Sequence, residues 1–119
     1  MGRKNIIYNH RSIVEGDMSL VEIIGDSTNC AQHDTLTYTA LWTGGALTNG
    51  KLVIEASLDG DTWTELDFAD TIQVDGAADY LRAIVNEIGF SYIRPKYVRI
   101  NPAATGIINV TVFASNRGA

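Results

Sequence analysis

The sequence predicts an all-β protein: an antiparallel β-sandwich, jelly-roll or Ig-like, of about seven or eight strands with an extended N-terminal arm. Three observations carry this. Several segments alternate apolar and polar residues with period two. Turn-forming Gly, Asn and Asp residues punctuate them at spacings of about 8 to 12 residues. No segment carries a persuasive helical period. With 119 residues, 45% of them hydrophobic, the chain suffices for one compact core and not for two. The expected organisation is a basic arm over residues 1–14 and a single sandwich domain over residues 15–119.

The elements follow in order. Residues 1–14 contain Arg3, Lys4 and Arg11, no acid and only a weak strand pattern. Met18, Leu20, Ile23 and Ile24 point to a short strand, and residues 25–34 read as a polar loop. Residues 35–42 (TLTYTALW) place Leu36, Tyr38, Ala40 and Trp42 on one face and three threonines on the other, a half-buried strand rich in β formers. Asn49-Gly50 tolerates the positive φ values of a type I′ turn, so the next strand is expected to fold back as a hairpin. That strand, residues 51–58, puts Leu52, Ile54, Ala56 and Leu58 on one face. Asp59-Gly60 turns the meander again, into residues 62–66. Residues 80–88 tolerate a helical turn, but Leu81, Ala83 and Val85 alternate, which favours strand. Residues 92–100 and 107–114 are clear strands. Pro95 donates no ladder bond, so its strand should lie at an edge, begin after it, or bulge there.

Charge is distributed unevenly. All fourteen acids fall between Glu15 and Glu87, giving that stretch a net −12, whereas residues 1–14 carry +3 and residues 88–119 carry +4. The overall charge of −5 argues against a nucleic-acid partner, because phosphate contacts need a basic surface. If the termini meet, the molecule becomes a dipole suited to docking on a neighbour of opposite polarity. The candidate partner-binding residues are therefore Arg3, Lys4, Arg11, Arg94, Lys96 and Arg99, expected to gather on one face beside the arm. No window approaches the 18 or so apolar residues of a membrane helix, and Ile6-Ile7-Tyr8 falls far short of a signal-peptide core, so a soluble chain without a membrane partner or cleaved leader is expected.

The chemical constellations are weak. Cys30, the single cysteine, has no partner for an intramolecular disulfide. Cys30 and His33 have a chelating spacing, but a structural zinc site needs four ligands and only His10 remains. Asp59-Gly60-Asp61 opens like a calcium loop, yet Trp63 and Leu66 stand where oxygen ligands belong. No nucleophile motif, phosphate loop or paired-carboxylate spacing is present. The expectation is a non-enzymatic protein without metal or cofactor. Trp42, Trp63, Tyr92 and Tyr97 are expected in the core, with Trp63 capping one end, in preference to a sugar-stacking platform.

Residues 56–66 (ASLDGDTWTEL), 92–101 (YIRPKYVRIN) and 106–112 (GIINVTV), with 11–16 (RSIVEG) and 40–44 (ALWTG), make the chain resemble small β-sandwich virion proteins of tailed bacteriophages. The resemblance implies a capsid decoration or cement protein that stabilises the head by bridging major capsid subunits, with a tail or neck component as the alternative. It implies the major capsid protein and further copies of the chain, as dimer or trimer, as partners. The location implied is the capsid surface of the virion, after synthesis in the host bacterial cytoplasm. The S-x-D-G-x-x-W pattern with a later Y-V-R is also similar to discoidin-like carbohydrate-binding sandwiches, and a glycan partner belongs to that alternative alone.

Overall fold

The computed structural model describes residues 7–30, 33, 35–46, 48–66, 72–86 and 90–115. Among them the chain forms ten strands: β1 (Ile7–Asp17), β2 (Glu22–Ile24), β3 (Thr28–Asn29), β4 (Thr35–Thr43), β5 (Thr48–Ser57), β6 (Thr64–Glu65), β7 (Gln73–Asp75), β8 (Ala78–Asn86), β9 (Tyr92–Arg99) and β10 (Ile107–Ser115). One sheet has the order β1-β10-β4-β8. In the other, β9 and β5 form the centre, with β2 and β3 end to end along β9, and β6 and β7 end to end along β5. Taking each end-to-end pair as one position gives eight positions, in the orders 1-8-3-6 and 2-7-4-5, all antiparallel. Successive positions alternate between the sheets, except the hairpin from β5 to β6. This is the jelly-roll order, the first of the two expected sandwich types.

Period-two alternation builds the core. Leu36, Tyr38, Ala40 and Trp42 of β4 face inward beside Ala114, Val112, Val110 and Ile108 of β10, their register partners. Ile13, Ala83 and Val85 extend this layer, and Leu52, Ile54, Ala56, Ile93 and Tyr97 meet it from the second sheet. Burying each large aliphatic side chain contributes about 1.5–3 kcal/mol. Tyr97 is fully buried because its hydroxyl donates to the Met18 carbonyl (3.0 Å), and the same burial raises its pKa.

The ladder revises several sequence expectations. Residues 7–14, assigned to the arm, belong to β1 and pair with β10 from Ile7↔Ser115 onward. Their pattern is obscured by two register shifts, between Arg11 and Ile13 and between Ile13 and Gly16, each of which resets the alternation. Residues 1–6 of the arm lie outside the described residues. Residues 80–86 are strand, within β8.

Asn49-Gly50 is not a turn. Both residues lie inside β5, and β4 and β5 occupy different sheets, so the expected hairpin and meander are replaced by a crossover. The side chain of Asn49, fully buried, accepts from Ala46 N (2.8 Å) and donates to the carbonyls of Ala46 (3.1 Å) and Gly76 (3.2 Å), fastening the crossover loop. Gly50 is required by close approach, since a Cβ there would collide with the Val98 carbonyl oxygen of β9.

Pro95 sits in the middle of a central strand, opposite Ile54, without a break in the β5–β9 register. The ladder accommodates it on the other side of β9. The Pro95 carbonyl accepts from Gly25 N (2.8 Å), and Gly25 lies in the gap between β2 and β3. A strand residue directs its N and C=O to the same neighbour, so the missing N–H faces that gap. Gly25 fits there for lack of a side chain: a Cβ would stand 2.7 Å from Pro95 Cγ and 3.0 Å from its carbonyl oxygen. Gly25→Ala is expected to lower stability by about 1–3 kcal/mol through this overpacking, read as a drop in thermal midpoint; an unchanged midpoint would show that the β2–β3 gap yields freely.

Candidate functional site

The two outer sheet faces differ in kind. On the β2/β3-β9-β5-β6/β7 face, alternation sets Glu55 outward between Ile54 and Ala56, directly opposite Arg94. Arg94 Nε donates to Glu55 Oε1 at 2.9 Å, and Lys96 Nζ lies 3.3 Å from Glu55 Oε2 and 3.4 Å from Glu22 Oε2. The Arg94 guanidinium stacks 3.9 Å from the centre of the Trp63 ring. A strap of alternating charge thus runs from β2 over β9 and β5 to the loop before β6. Glu55 and Val53, the latter opposite Lys96, are buried beneath it. Trp63 belongs to this outer strap and not to the core end where the sequence placed it. Trp42 and Tyr97 are core residues as expected, and Trp42 Nε1 donates to the Gly76 carbonyl (3.2 Å).

The β1-β10-β4-β8 face is apolar and threonine-rich. Register places four outward rows across it: Asp17, Ile107, Thr43 and Ala78; then Asn109, Leu41 and Tyr80; then Arg11, Thr111, Thr39 and Arg82; then Asn9, Phe113, Thr37 and Ile84. Leu41, Tyr80, Ile84, Ile107 and Phe113 are all exposed, from 41% to 61%. At the β1 edge, Glu15 joins the second row: its N–H donates to Asn109 Oδ1 (2.8 Å), and it adopts φ 47° at the register shift. A shallow depression of about 310 Å³ lies between Arg11, Glu15, Leu41, Asn109 and Thr111. Sequence reasoning passed over this face. Its signal was present in the out-of-phase apolar residues, Leu41 beside Trp42 and Phe113 beside Val112, which period two sends outward.

The structure distributes the predicted basic residues and does not gather them. Arg11 lies on the first sheet's outer face, and Arg94 and Lys96 lie on the opposite face of the sandwich, held by Glu55 and Glu22. Arg99 reaches the end of the sandwich, where Nη1 donates to the Ser19 carbonyl (2.6 Å). Arg3 and Lys4 lie outside the described residues. The pairing Ile7↔Ser115 does bring the two ends of the described chain together. Among the described residues no group of three or more His, Cys, Asp or Glu side chains is placed to hold a metal. Cys30 is buried, its thiol donates to the Thr28 carbonyl (3.3 Å), and burial pushes its pKa up to about 11, so it is a protonated thiol at neutral pH.

At the β5–β6 turn, the Asp59 carboxylate accepts from Thr62 N and Asp61 N, both at 2.8 Å, and from Ser57 Oγ at 2.9 Å. These bonds, that from Thr62 first, lower its pKa to about 2. Gly60 supplies the positive φ of 83° that the turn requires.

No protein-family model matches the chain, and no curated protein sequence matches it. Solved structures resemble it in fold. SPBc2 prophage-derived protein YomS superposes with a TM-score of 0.65 at 13% identity, over 96% of each chain. A protein of Bacillus endospore appendages, which form disulfide-linked pili, gives 0.51 at 15% identity, over 98% of this chain and 93% of that one. A chain of infectious bursal disease virus, Gx strain, gives 0.52 at 13% identity, over 99% of this chain and 38% of that one. At these identities the likeness is one of fold.

Two outcomes test the geometry. Glu55→Gln removes the charge that Arg94 and Lys96 share and is expected to cost about 2 kcal/mol, measured by chemical denaturation; a loss below 0.5 kcal/mol, about the spread of ordinary surface substitutions, would mean that the cations are solvated without it. Because the folded pKa of Asp59 is depressed, its contribution is fully present above the ordinary carboxylate value and is lost as pH falls through about 2. A carboxyl NMR titration should give a midpoint near that value, with protection of the Asp61 and Thr62 amides lost over the same range. A midpoint at the ordinary value would refute the turn's hydrogen bonding.

Proposed function

We propose that this chain is a non-enzymatic structural protein of a phage virion, a capsid decoration or cement protein that sits on the capsid surface and bridges major capsid subunits. The observation that carries the reading is a complete small jelly-roll, matched over 96% of both chains by a prophage-derived protein, with one sheet face left apolar and exposed. A cement module needs rigidity, repetition and a surface for a neighbour. The sandwich supplies the first through its central β9 and β10, and the β1-β10-β4-β8 face supplies the last.

Within this reading the basic segment ahead of β1, with Arg3 and Lys4, contacts the shell. Arg94, Lys96 and Arg99 are engaged within the chain and serve the fold first. The glycan alternative draws little support, since Trp42 is buried and one face of Trp63 is covered by Arg94.

Purified protein incubated with empty capsids of its phage should give regular density at symmetry positions by cryo-electron microscopy. Bare shells would overturn the cement reading in favour of a tail or neck role. Deleting residues 1–6 is expected to reduce shell occupancy about tenfold or more with an unchanged thermal midpoint, and undiminished binding would remove Arg3 and Lys4 from the contact. A deletion to residue 12 is not a usable variant, because it strips β1 from Ile7 to Arg11 off β10.

A further inference from the structure

We propose that the outer face of the β1-β10-β4-β8 sheet is a self-complementary interface on which two copies of this chain pack about a two-fold axis, Arg11 of each copy meeting Glu15 of the other. The inference assigns to a second copy the face that the virion reading offers to a neighbour, and its test requires no capsid, so it can fail or hold independently of that reading.

The argument rests on how the rows are ordered. Along the face, the half nearer Asp17 carries Asp17 and Glu15 at the β1 edge and Tyr80 at the β8 edge; the other half carries Arg11 at the β1 edge and Arg82 at the β8 edge. An isologous contact repeats one patch on itself, so a face with opposite polarity in its two halves is suited to it. An axis lying in the interface and running across the strands, midway between the Leu41 and Thr39 rows, superposes each half on the other half of the second copy. Arg11 then opposes Glu15, Arg82 opposes the ring of Tyr80, Thr111 opposes Asn109, and Phe113 opposes Ile107. Each contact occurs twice. Both charge pairs lie at the β1 edge of an apolar and threonine centre at Leu41 and Thr39, and at the β8 edge Arg82 over Tyr80 is a cation–π arrangement. An axis running along the strands would instead set Arg11 against Arg82, and like charge excludes it.

Availability supports the same assignment. Neither Arg11 nor Arg82 forms an ion pair with a described residue, in contrast to Arg94 and Lys96 on the other face. The depression beside Arg11 and Glu15 leaves room for a side chain of the second copy. Size matters as well. Four strands about 4.8 Å apart, with nine residues rising about 3.3 Å each, make a face of roughly 500 Å². Two such faces bury about 1,000 Å², the size that a specific interface needs to reach, at the small end of the range where weak and transient associations fall.

Sedimentation velocity on the full chain over about 1 to 200 µM reads the equilibrium directly. The expected result is a monomer–dimer equilibrium in this range. Leu41→Glu and Arg11→Glu should each raise the dimer dissociation constant about tenfold or more, whereas the double reversal Arg11→Glu with Glu15→Arg should restore it to within about threefold, because each altered charge meets the other across the axis. Leu58→Glu, exposed at the end of the sandwich and off this face, should leave it unchanged. Circular dichroism establishes that each variant is folded. A wild-type chain that stays monomeric, a dimer indifferent to Leu41→Glu, an equal loss from Leu58→Glu, or a folded double reversal that remains monomeric would overturn the proposal.

Discussion

The structure depends on the insertion of its last two strands into the centres of the two sheets. β10 lies between β1 and β4, and β9 lies between β5 and the β2/β3 edge. Remove β10 and β1 has no ladder; remove β9 and the second sheet separates into β2/β3 and the β5 hairpin. The pairing Ile7↔Ser115 joins the two ends of the described chain, and almost every stabilising ladder spans a long stretch of sequence. Such a topology makes folding slow relative to helical domains of the same size, since long loops must close before their contacts form.

Central insertion also determines where side chains can go. β9 and β5 are each flanked on both sides, so the charges they carry outward must be satisfied on a crowded face. Glu55, Arg94, Lys96 and Glu22 accomplish this by neutralising one another, and Trp63 lies against Arg94. A buried carboxylate is tolerated when it is paired and hydrogen-bonded. The opposite face keeps its charges, Asp17, Glu15, Arg11 and Arg82, at its β1 and β8 edges, and no strap crosses its centre. It shows Leu41, Tyr80, Ile84, Ile107 and Phe113 to the surroundings. One face of the sandwich is therefore closed by its own electrostatics, and the other is open to contact.

The strands were legible where alternation is strict. β4, β5, β9 and β10 stand close to where period two put them, because burial of one face selects that register over its neighbour. The misreadings have local causes. Asn49-Gly50 has the composition of a turn, but the side chain of Asn49 is spent on the crossover loop and Gly50 on the approach of Val98. Residues 7–14 looked like an arm because two register shifts interrupt their alternation. Pro95 looked like the mark of an edge, a strand start or a bulge because the gap between β2 and β3 is formed by residues about seventy positions earlier, a distance that no local propensity encodes. The candidate site was less legible than the fold. The basic residues were visible as a class, but the distribution of the four described ones, Arg11, Arg94, Lys96 and Arg99, over two opposite faces and one end of the sandwich depends on pairing partners.

By itself the sequence determined the all-β class, the inward-facing residues of β4 and β10, the Asp59-Gly60 turn and the polarity of the two ends, because each follows from side-chain period or from a residue's own backbone preference. The tertiary structure alone decided the jelly-roll order, the internal pairing of Arg94 and Lys96 with Glu55, the outward place of Trp63 and the open apolar face. These are properties of strands brought side by side from distant parts of the chain, and cross-strand contact has no period in the sequence.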